Sequence, residues 1–177
     1  VLSKTPAELV HAGLDAAAEA GARSIHVAVA GIEVLSVYVP NGKDTRHPDF
    51  GVKLGWLREL GRYLRQVVAA DKPLIVGGDF NVVHRDLDSH APQAMAGEIF
   101  HTDAERGAID ALLELGLLDL YRTLYPEGAA YSWWDYRAGS FHKNLGLRID
   151  LLLGSAPLRD RVDSWAPLEK VLSPPEK

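Results

Sequence analysis

Gly77-Gly78-Asp79-Phe80-Asn81 sets a carboxylate and, two residues on, a carboxamide directly after a short apolar run, Leu74-Ile75-Val76. If that run is a buried strand, it delivers the pair to the carboxyl edge of a sheet, where ligands commonly bind. The two glycines let the chain turn tightly and leave room for a substrate. An ionised Asp79 can take a proton from an attacking water, while Asn81 can hold a phosphate oxygen through its amide N–H or a metal ion through its carbonyl. The plain alternative for any Asp-x-Asn is an Asx turn that only ends the strand. A second carboxylate, Asp150, stands in the largely apolar stretch Leu147-Arg148-Ile149-Asp150-Leu151-Leu152-Leu153. Buried there without a partner it would be costly, so it requires a cation, a metal ion or a hydrogen-bond donor. Arg148, two residues away and on the same face of a strand, is one candidate partner. Tyr38 and Asn41 close another strand in Tyr38-Val39-Pro40-Asn41-Gly42, although an ordinary strand aromatic and turn would look the same.

These residues need elements to hold them. Ser24 to Tyr38 reads as a hairpin of two strands rich in β-branched residues, turning at Ala30-Gly31. Pro40-Asn41-Gly42 then stops the second strand. From about Phe50 to Ala69 the residues Leu54, Leu57, Leu60, Leu64 and Val67-Val68 recur at three- and four-residue steps, as on one face of a helix. Lys72 to Asp79 has the uninterrupted apolar character of a buried central strand. Val82 to Ile99 shows no period and reads as a long loop. Thr102 to Leu115 is expected to be helical, with Thr102 and Glu105 in capping-box spacing and Gly116 ending it. Asp119 to Tyr125 is a short connection. Tyr131 to Tyr136 reads as an aromatic strand and Leu147 to Leu153 as an apolar one. Strands and helices alternate without repeats or a linker, which points to one α/β domain over residues 1–177.

Hydrophobic residues make up 47% of the 177 and charged ones 24%, a composition that supports a packed core and excludes disorder. There is no cysteine, so disulfides, thiolate metal sites and a cysteine nucleophile are excluded, and a reducing cytoplasm is expected. No apolar run is long enough to span a bilayer. The net charge of −5 is unlike that of most nucleic-acid binders, but a local patch decides such binding. Positive charge gathers in Arg46 to Arg65, which includes Lys53, and in Arg137 to Arg148. Both read as solvated faces. His84 follows Asn81 closely but could as easily be a loop residue, and His26, His47, His90, His101 and His142 lack metal-ligand spacing.

Taken in order, Tyr-Val-Pro-Asn-Gly, Gly-Gly-Asp-Phe-Asn, Tyr-Ser-Trp-Trp-Asp-Tyr-Arg and Gly-Leu-Arg-Ile-Asp-Leu-Leu-Leu resemble exonuclease III and its relatives, the abasic-site endonucleases of the endonuclease/exonuclease/phosphatase superfamily. The resemblance runs from Val1 to about Pro157. It implies a four-layer α/β sandwich, two mixed sheets face to face with helices outside. It also implies a monomeric enzyme that uses Mg2+ or Mn2+ to cut double-stranded DNA 5′ to abasic sites and to act on 3′ ends. By motif, Asp79 would orient or deprotonate the water, Asn81 would contact the scissile phosphate beside the metal, and Tyr38 would stabilise the phosphate or leaving oxygen. Asp79 and Asn81 would be metal ligands, and Asp150 would organise the metal and its neighbours. Asn41 would bind the DNA backbone. Trp133, Leu147 and Ile149 would line a pocket for a flipped, base-free sugar, with plain core packing as the alternative for one of Trp133 and Trp134.

Two parts of the family pattern are expected outside this span: an upstream strand whose glutamate binds metal, and a Ser-Asp-His-x-Pro segment after Lys177. On that reading the span is truncated at both ends and weak in metal binding by itself. Two other functions stay open: a superfamily phosphoesterase acting on a phospholipid, inositol phosphate or nucleotide, and a non-catalytic DNA-binding module.

Overall fold

The computed structural model describes residues 3–68, 72–137 and 139–163. Eight strands are present among them: β1 (Ala7–Ala12), β2 (Ser24–Val29), β3 (Ile32–Tyr38), β4 (Leu74–Asp79), β5 (Leu117–Asp119), β6 (Trp133–Trp134), β7 (Gly146–Leu147) and β8 (Asp150–Ser155). Three α-helices accompany them: α1 (Pro48–Val68), α2 (Asp103–Leu113) and α3 (Leu120–Leu124). Six strands form one mixed sheet in the order β1-β2-β3-β4-β8-β5, in which only β3 and β4 run parallel. β6 and β7 form a separate antiparallel ribbon. The α/β class is as expected. The second sheet is this small ribbon, tied to the long loop by a bridge between Ser89 and Leu147.

Local chemistry explains most of the frame. β2 and β3 turn on Ala30 and Gly31, with φ of +50° and +80°, the mirror-image turn whose twist suits a hairpin. α1 buries Trp56, Leu57, Leu60 and Leu64 on one stripe. That stripe packs with Leu35 and Val37 of β3, Val76 of β4, Leu153 of β8 and Ile109 and Leu112 of α2 in the main core. Thr102 and Glu105 cap α2 reciprocally, as their spacing predicts. No helix among the described residues is long and apolar enough to cross a membrane.

Several expectations change. β1 was not anticipated: its residues are mostly exposed, so no buried alternation announces it. The aromatic strand expected over Tyr131 to Tyr136 shrinks to Trp133–Trp134. The strand expected over Leu147 to Leu153 is two strands in different sheets, broken at Arg148-Ile149. The loop between Val82 and Ile99 contains a short 3-10 helix, Asp86–Asp88, and is buried at Val82, Val83, Asp88 and Ser89. The expected helix end at Ala69 and the stretch from Ser173 to Lys177 lie outside the described residues.

The two glycines of β4 also serve differently. Both lie within the strand and admit its neighbours, not a substrate. A Cβ on Gly78, where φ is +143°, would sit 1.9 Å from the Val37 carbonyl oxygen, and one on Gly77 would sit 2.9 Å from Leu152 Cδ1. Gly78→Ala is therefore expected to cost more than about 3 kcal/mol, because strain and a backbone clash combine. Urea unfolding measures this, and a loss under about 0.5 kcal/mol, the level of an ordinary surface change, would contradict the tight β3–β4 pairing.

Candidate active site

Strand register lines up three of the sequence-predicted residues. Tyr38 at the end of β3 pairs with Asp79 at the end of β4, and Asp79 pairs with Asp150 at the start of β8. The three therefore stand abreast along one edge of the central sheet. Main-chain bonds continue past that edge, from Val39 N to Asp79 O and from Phe80 N to Ile149 O, both close to 2.9 Å or shorter.

Asn81 sits against Asp79 in a left-handed backbone conformation, φ +51°. Its amide donates to Asp79 Oδ1 at 2.8 Å, and its side-chain Nδ2 donates to Asp79 Oδ2 at 3.1 Å and to the Val39 carbonyl at 3.0 Å. Asn41 Nδ2 donates in turn to Asn81 Oδ1 at 3.2 Å. The Asx-turn alternative is thus realised in geometry, since the carboxylate does bind the amide two residues on. The same bonds hold both Asp79 oxygens in one orientation. Tyr38 is 50% exposed, with the Arg23 guanidinium 4.8 Å from its ring centre.

Asp150 differs from expectation. It opens to solvent and is not enclosed in an apolar strand. Arg148 is not its partner. That side chain turns to the other side and binds Asp88 and Asp119. The Asp150 amide instead donates to Ser132 Oγ at 3.0 Å, which ties the start of β8 to the residue just before β6.

Of the expected pocket residues, Trp133 is 40% exposed and pairs across the ribbon with Leu147. Leu147 and Ile149 are only 2% and 3% exposed and pack with Val83 in a small second core. The structure therefore brings Trp133 and Leu147 together, but it covers both aliphatic side chains. Trp134 is half-buried beside Tyr131 and Phe141, so neither tryptophan is core.

Sequence reasoning missed the charged residues that support this edge. Lys53 and Arg148 were placed on solvated faces, yet both are buried. Lys53 pairs with Glu105 and donates to the Asn81 carbonyl at 2.6 Å. Arg148 joins Asp88 and Asp119, and Arg122 also reaches Asp88. A lysine on the apolar stripe of α1, three residues before Trp56, was the available signal for the first of these. Nothing local announces the second.

Charge at the edge is poorly compensated. Burial pushes the Asp79 carboxyl above the usual range, the Asn81 amide opposes that, and the neighbouring charge of Asp150 adds to it. Asp150 is likewise pushed up, because the surrounding chain removes water from it although it opens to solvent. Among the described residues neither forms an ion pair. Two carboxylates and the carboxamide oxygen of Asn81 are hard oxygen donors, the type that Mg2+ and Mn2+ take. No three His, Cys, Asp or Glu side chains among the described residues are grouped to hold a metal ion by themselves. The donor set fits a divalent ion in kind and is incomplete in number.

Comparison with known proteins identifies relatives of this architecture. Residues 1–170 match the model of the Endonuclease/Exonuclease/phosphatase family. The exodeoxyribonuclease of Bacillus subtilis is 36% identical over 132 residues, covering 73% of this chain and 51% of that protein. The structure of an AP endonuclease from Archaeoglobus fulgidus superposes with a TM-score of 0.89 at 33% identity, over 97% of this chain and 68% of that one. The 3′ phosphatase NExo from Neisseria, bound to a product DNA hairpin, superposes with a TM-score of 0.86 at 35% identity, over 89% and 62% of the two chains. The chain spans about half the length, or less, of the curated relatives it matches.

The pairing of Asp79 with Asp150 has a measurable consequence. Asp150→Asn removes the like charge and is expected to lower the Asp79 titration midpoint, read from carboxyl carbon shifts by NMR. A carboxyl whose folded pKa is raised binds more protons folded than unfolded, so it lowers stability as pH rises through its titration. The variant should accordingly be more stable than the parent at pH 7 without divalent ions, with the advantage fading once both carboxyls are protonated. An unmoved Asp79 midpoint would show that the two do not interact.

Proposed function

Because this chain belongs to the endonuclease/exonuclease/phosphatase family, we propose that it hydrolyses DNA phosphodiester bonds, cutting 5′ to abasic sites and acting on 3′ ends, with Mg2+ or Mn2+ as cofactor. The observation that carries this reading is the row Tyr38–Asp79–Asp150 along one sheet edge, with Asn81 and Asn41 hydrogen-bonded beside it. Relatives named for exonuclease and AP endonuclease activity, and one holding a DNA product, support DNA as the substrate.

In this reading Asp79 is the general base. Its raised pKa brings it toward the working range of a base, and the two bonds from Asn81 keep its oxygens from swinging away as it takes a proton from water. Asn81 Oδ1 accepts one bond, from Asn41, which leaves its second lone pair for a cation. Asp150 faces the same edge with its carboxylate open to solvent. The half-exposed Tyr38 offers a hydroxyl donor to a phosphate or departing oxygen. Asn41 extends the polar surface toward the DNA backbone. A divalent ion held by Asp79, Asn81 and Asp150 would polarise the phosphoryl group and offset charge on the leaving oxygen when bound.

Trp133 is the exposed member of the proposed sugar pocket, with Leu147 behind it across the ribbon. A large aromatic wall discriminates by size, and an abasic nucleotide is the cheapest to flip toward it because no pairing or stacking of its own is lost.

The full-length protein is expected to nick an abasic-site duplex in magnesium and to be silenced by chelator. Equal cleavage of intact and abasic duplex at internal positions would count against the pocket. Asp79→Asn should retain DNA affinity while turnover falls by about two orders of magnitude or more. A variant within a few-fold of wild type would remove Asp79 from the mechanism. Trp133→Ala should relax the preference for abasic over intact duplex more than it weakens binding. A loss of thermal stability alone, with the preference intact, would assign Trp133 to packing.

A further inference from the structure

Lys53 occupies a place on α1 where an apolar side chain would be expected. It lies on the stripe that continues as Trp56, Leu57, Leu60 and Leu64, and it is 0% exposed. Lysine is almost never buried so fully without a partner. Its partner is Glu105, the third residue of α2, equally withdrawn from solvent. Exchanging a buried ion pair for well-packed apolar groups is often neutral or stabilising, so packing alone does not account for this one. The location of the ammonium does.

Lys53 Nζ donates to the main-chain carbonyl of Asn81 at 2.6 Å. Asn81 takes a left-handed backbone, from which its amide and its side chain both reach Asp79. Asparagine tolerates that conformation better than most L residues, so what the ammonium supplies is a fixed position for the turn. The ammonium is held in turn. Glu105 Oε1 accepts from Lys53 and from the Phe100 amide at 3.1 Å. Its Oε2 accepts from the Thr102 amide at 3.1 Å and the Thr102 hydroxyl at 2.7 Å. With both oxygens occupied, the carboxylate cannot rotate away without losing several bonds.

The aliphatic stem of Lys53 has a second contact. A Cβ on Gly42 would lie 3.1 Å from Lys53 Cδ, so the stem runs directly under the Asn41-Gly42 turn. Asn41 then donates to Asn81 Oδ1. One side chain therefore underlies both turns that present carboxamides at the proposed site, and its lack of exposure keeps it from touching substrate.

We propose that Lys53, locked by Glu105, is the positioning residue of the site: it fixes the Asn81 carbonyl and the Asn41 turn, and through them the orientation of Asp79. This rests on the phosphodiesterase reading for its effect on turnover, but not for its effect on Asn81.

The test uses the full-length protein with Lys53→Met and Glu105→Gln together, so that no lone charge stays buried. Two quantities are read: steady-state cleavage of abasic duplex, and the side-chain amide NMR resonances of Asn81. Misplacing a reacting group by about 1 Å can cost 10²-fold, so kcat is expected to fall about 100-fold with KM nearly unchanged. The Asn81 amide pair should move toward the shifts of a free carboxamide. If the double variant does not fold, Lys53→Arg, which keeps a cation paired with Glu105 while moving the donor from the Asn81 carbonyl, is read in the same way, with an expected loss in kcat of about tenfold, one oriented contact being loosened and the charge retained. A folded variant with wild-type kcat and unmoved Asn81 resonances overturns the proposal, as does a fall in melting temperature without either change. If the wild type cleaves no DNA, the phosphodiesterase reading fails, and the Asn81 resonances still decide whether Lys53 positions that residue.

Discussion

Arg148 joins parts of the molecule that no local rule would bring together. Its guanidinium binds Asp88, from the long loop, and Asp119, at the junction of β5 and α3. Arg122 of α3 closes the group by binding Asp88 as well. The Arg148 amide also donates to the Asp88 carbonyl at 2.8 Å, so its backbone and side chain are fixed on the same residue. Two arginines and two aspartates make the group neutral, and that is the condition for keeping four charges so far from water. Burial alone would disfavour each ionised form, but the hydrogen bonds prevail: Asp88 is held below the usual carboxylate range, and Arg148 is raised further. Without Arg148, two buried carboxylates would lose their main partner.

The consequence for the site is directional. Arg148 turns one way while Leu147 is committed to the ribbon with Trp133 and Asp150 to the central sheet beside Asp79. The kink between β7 and β8 therefore sets where the aromatic ribbon stands relative to the carboxylate edge. Ser132 adds a smaller tie, its hydroxyl accepting from the Ile149 and Asp150 amides at 3.2 and 3.0 Å. The two buried ionic groups thus divide the labour. The Arg148 group joins the ribbon to the sheet, and the Lys53–Glu105 pair supports the turns that follow β3 and β4.

What could be read in advance was whatever neighbours in sequence decide. The β2–β3 hairpin, the stripe of α1, the buried β4 and the reciprocal cap of α2 all follow from periodicity, turn residues and capping. The row of Tyr38, Asp79 and Asp150 was legible only as separate motifs. Register across β3, β4 and β8 is a tertiary fact that no spacing states. The errors share one cause. The apolar run from Leu147 to Leu153 looked continuous because the ion pairs that break it come from residues far away in sequence. Lys53 and Arg148 looked solvated because charge is counted along the chain while partners are found across it. β1 went unseen because its exposed residues leave no alternation, and pairing with β2 alone makes it a strand.

The distribution of charge also bears on how, on the proposed function, a chain of net charge −5 would meet a phosphate backbone. Among the described residues the two most buried lysine and arginine side chains are already committed, Lys53 to Glu105 and Arg148 to Asp88 and Asp119. They satisfy structural acids and leave Asp79 and Asp150 side by side with raised pKa values. Such an edge repels a phosphodiester as long as both carboxylates are ionised. A cation held between them would reverse the sign locally, and the same step would favour the ionised form of both against the burial that raises their pKa values. Cation binding, carboxylate ionisation and acceptance of phosphate are then three aspects of one electrostatic equilibrium. On the proposed mechanism, the absence of an ion pair at either carboxylate among the described residues leaves that charge to be met by a cation that accompanies the substrate.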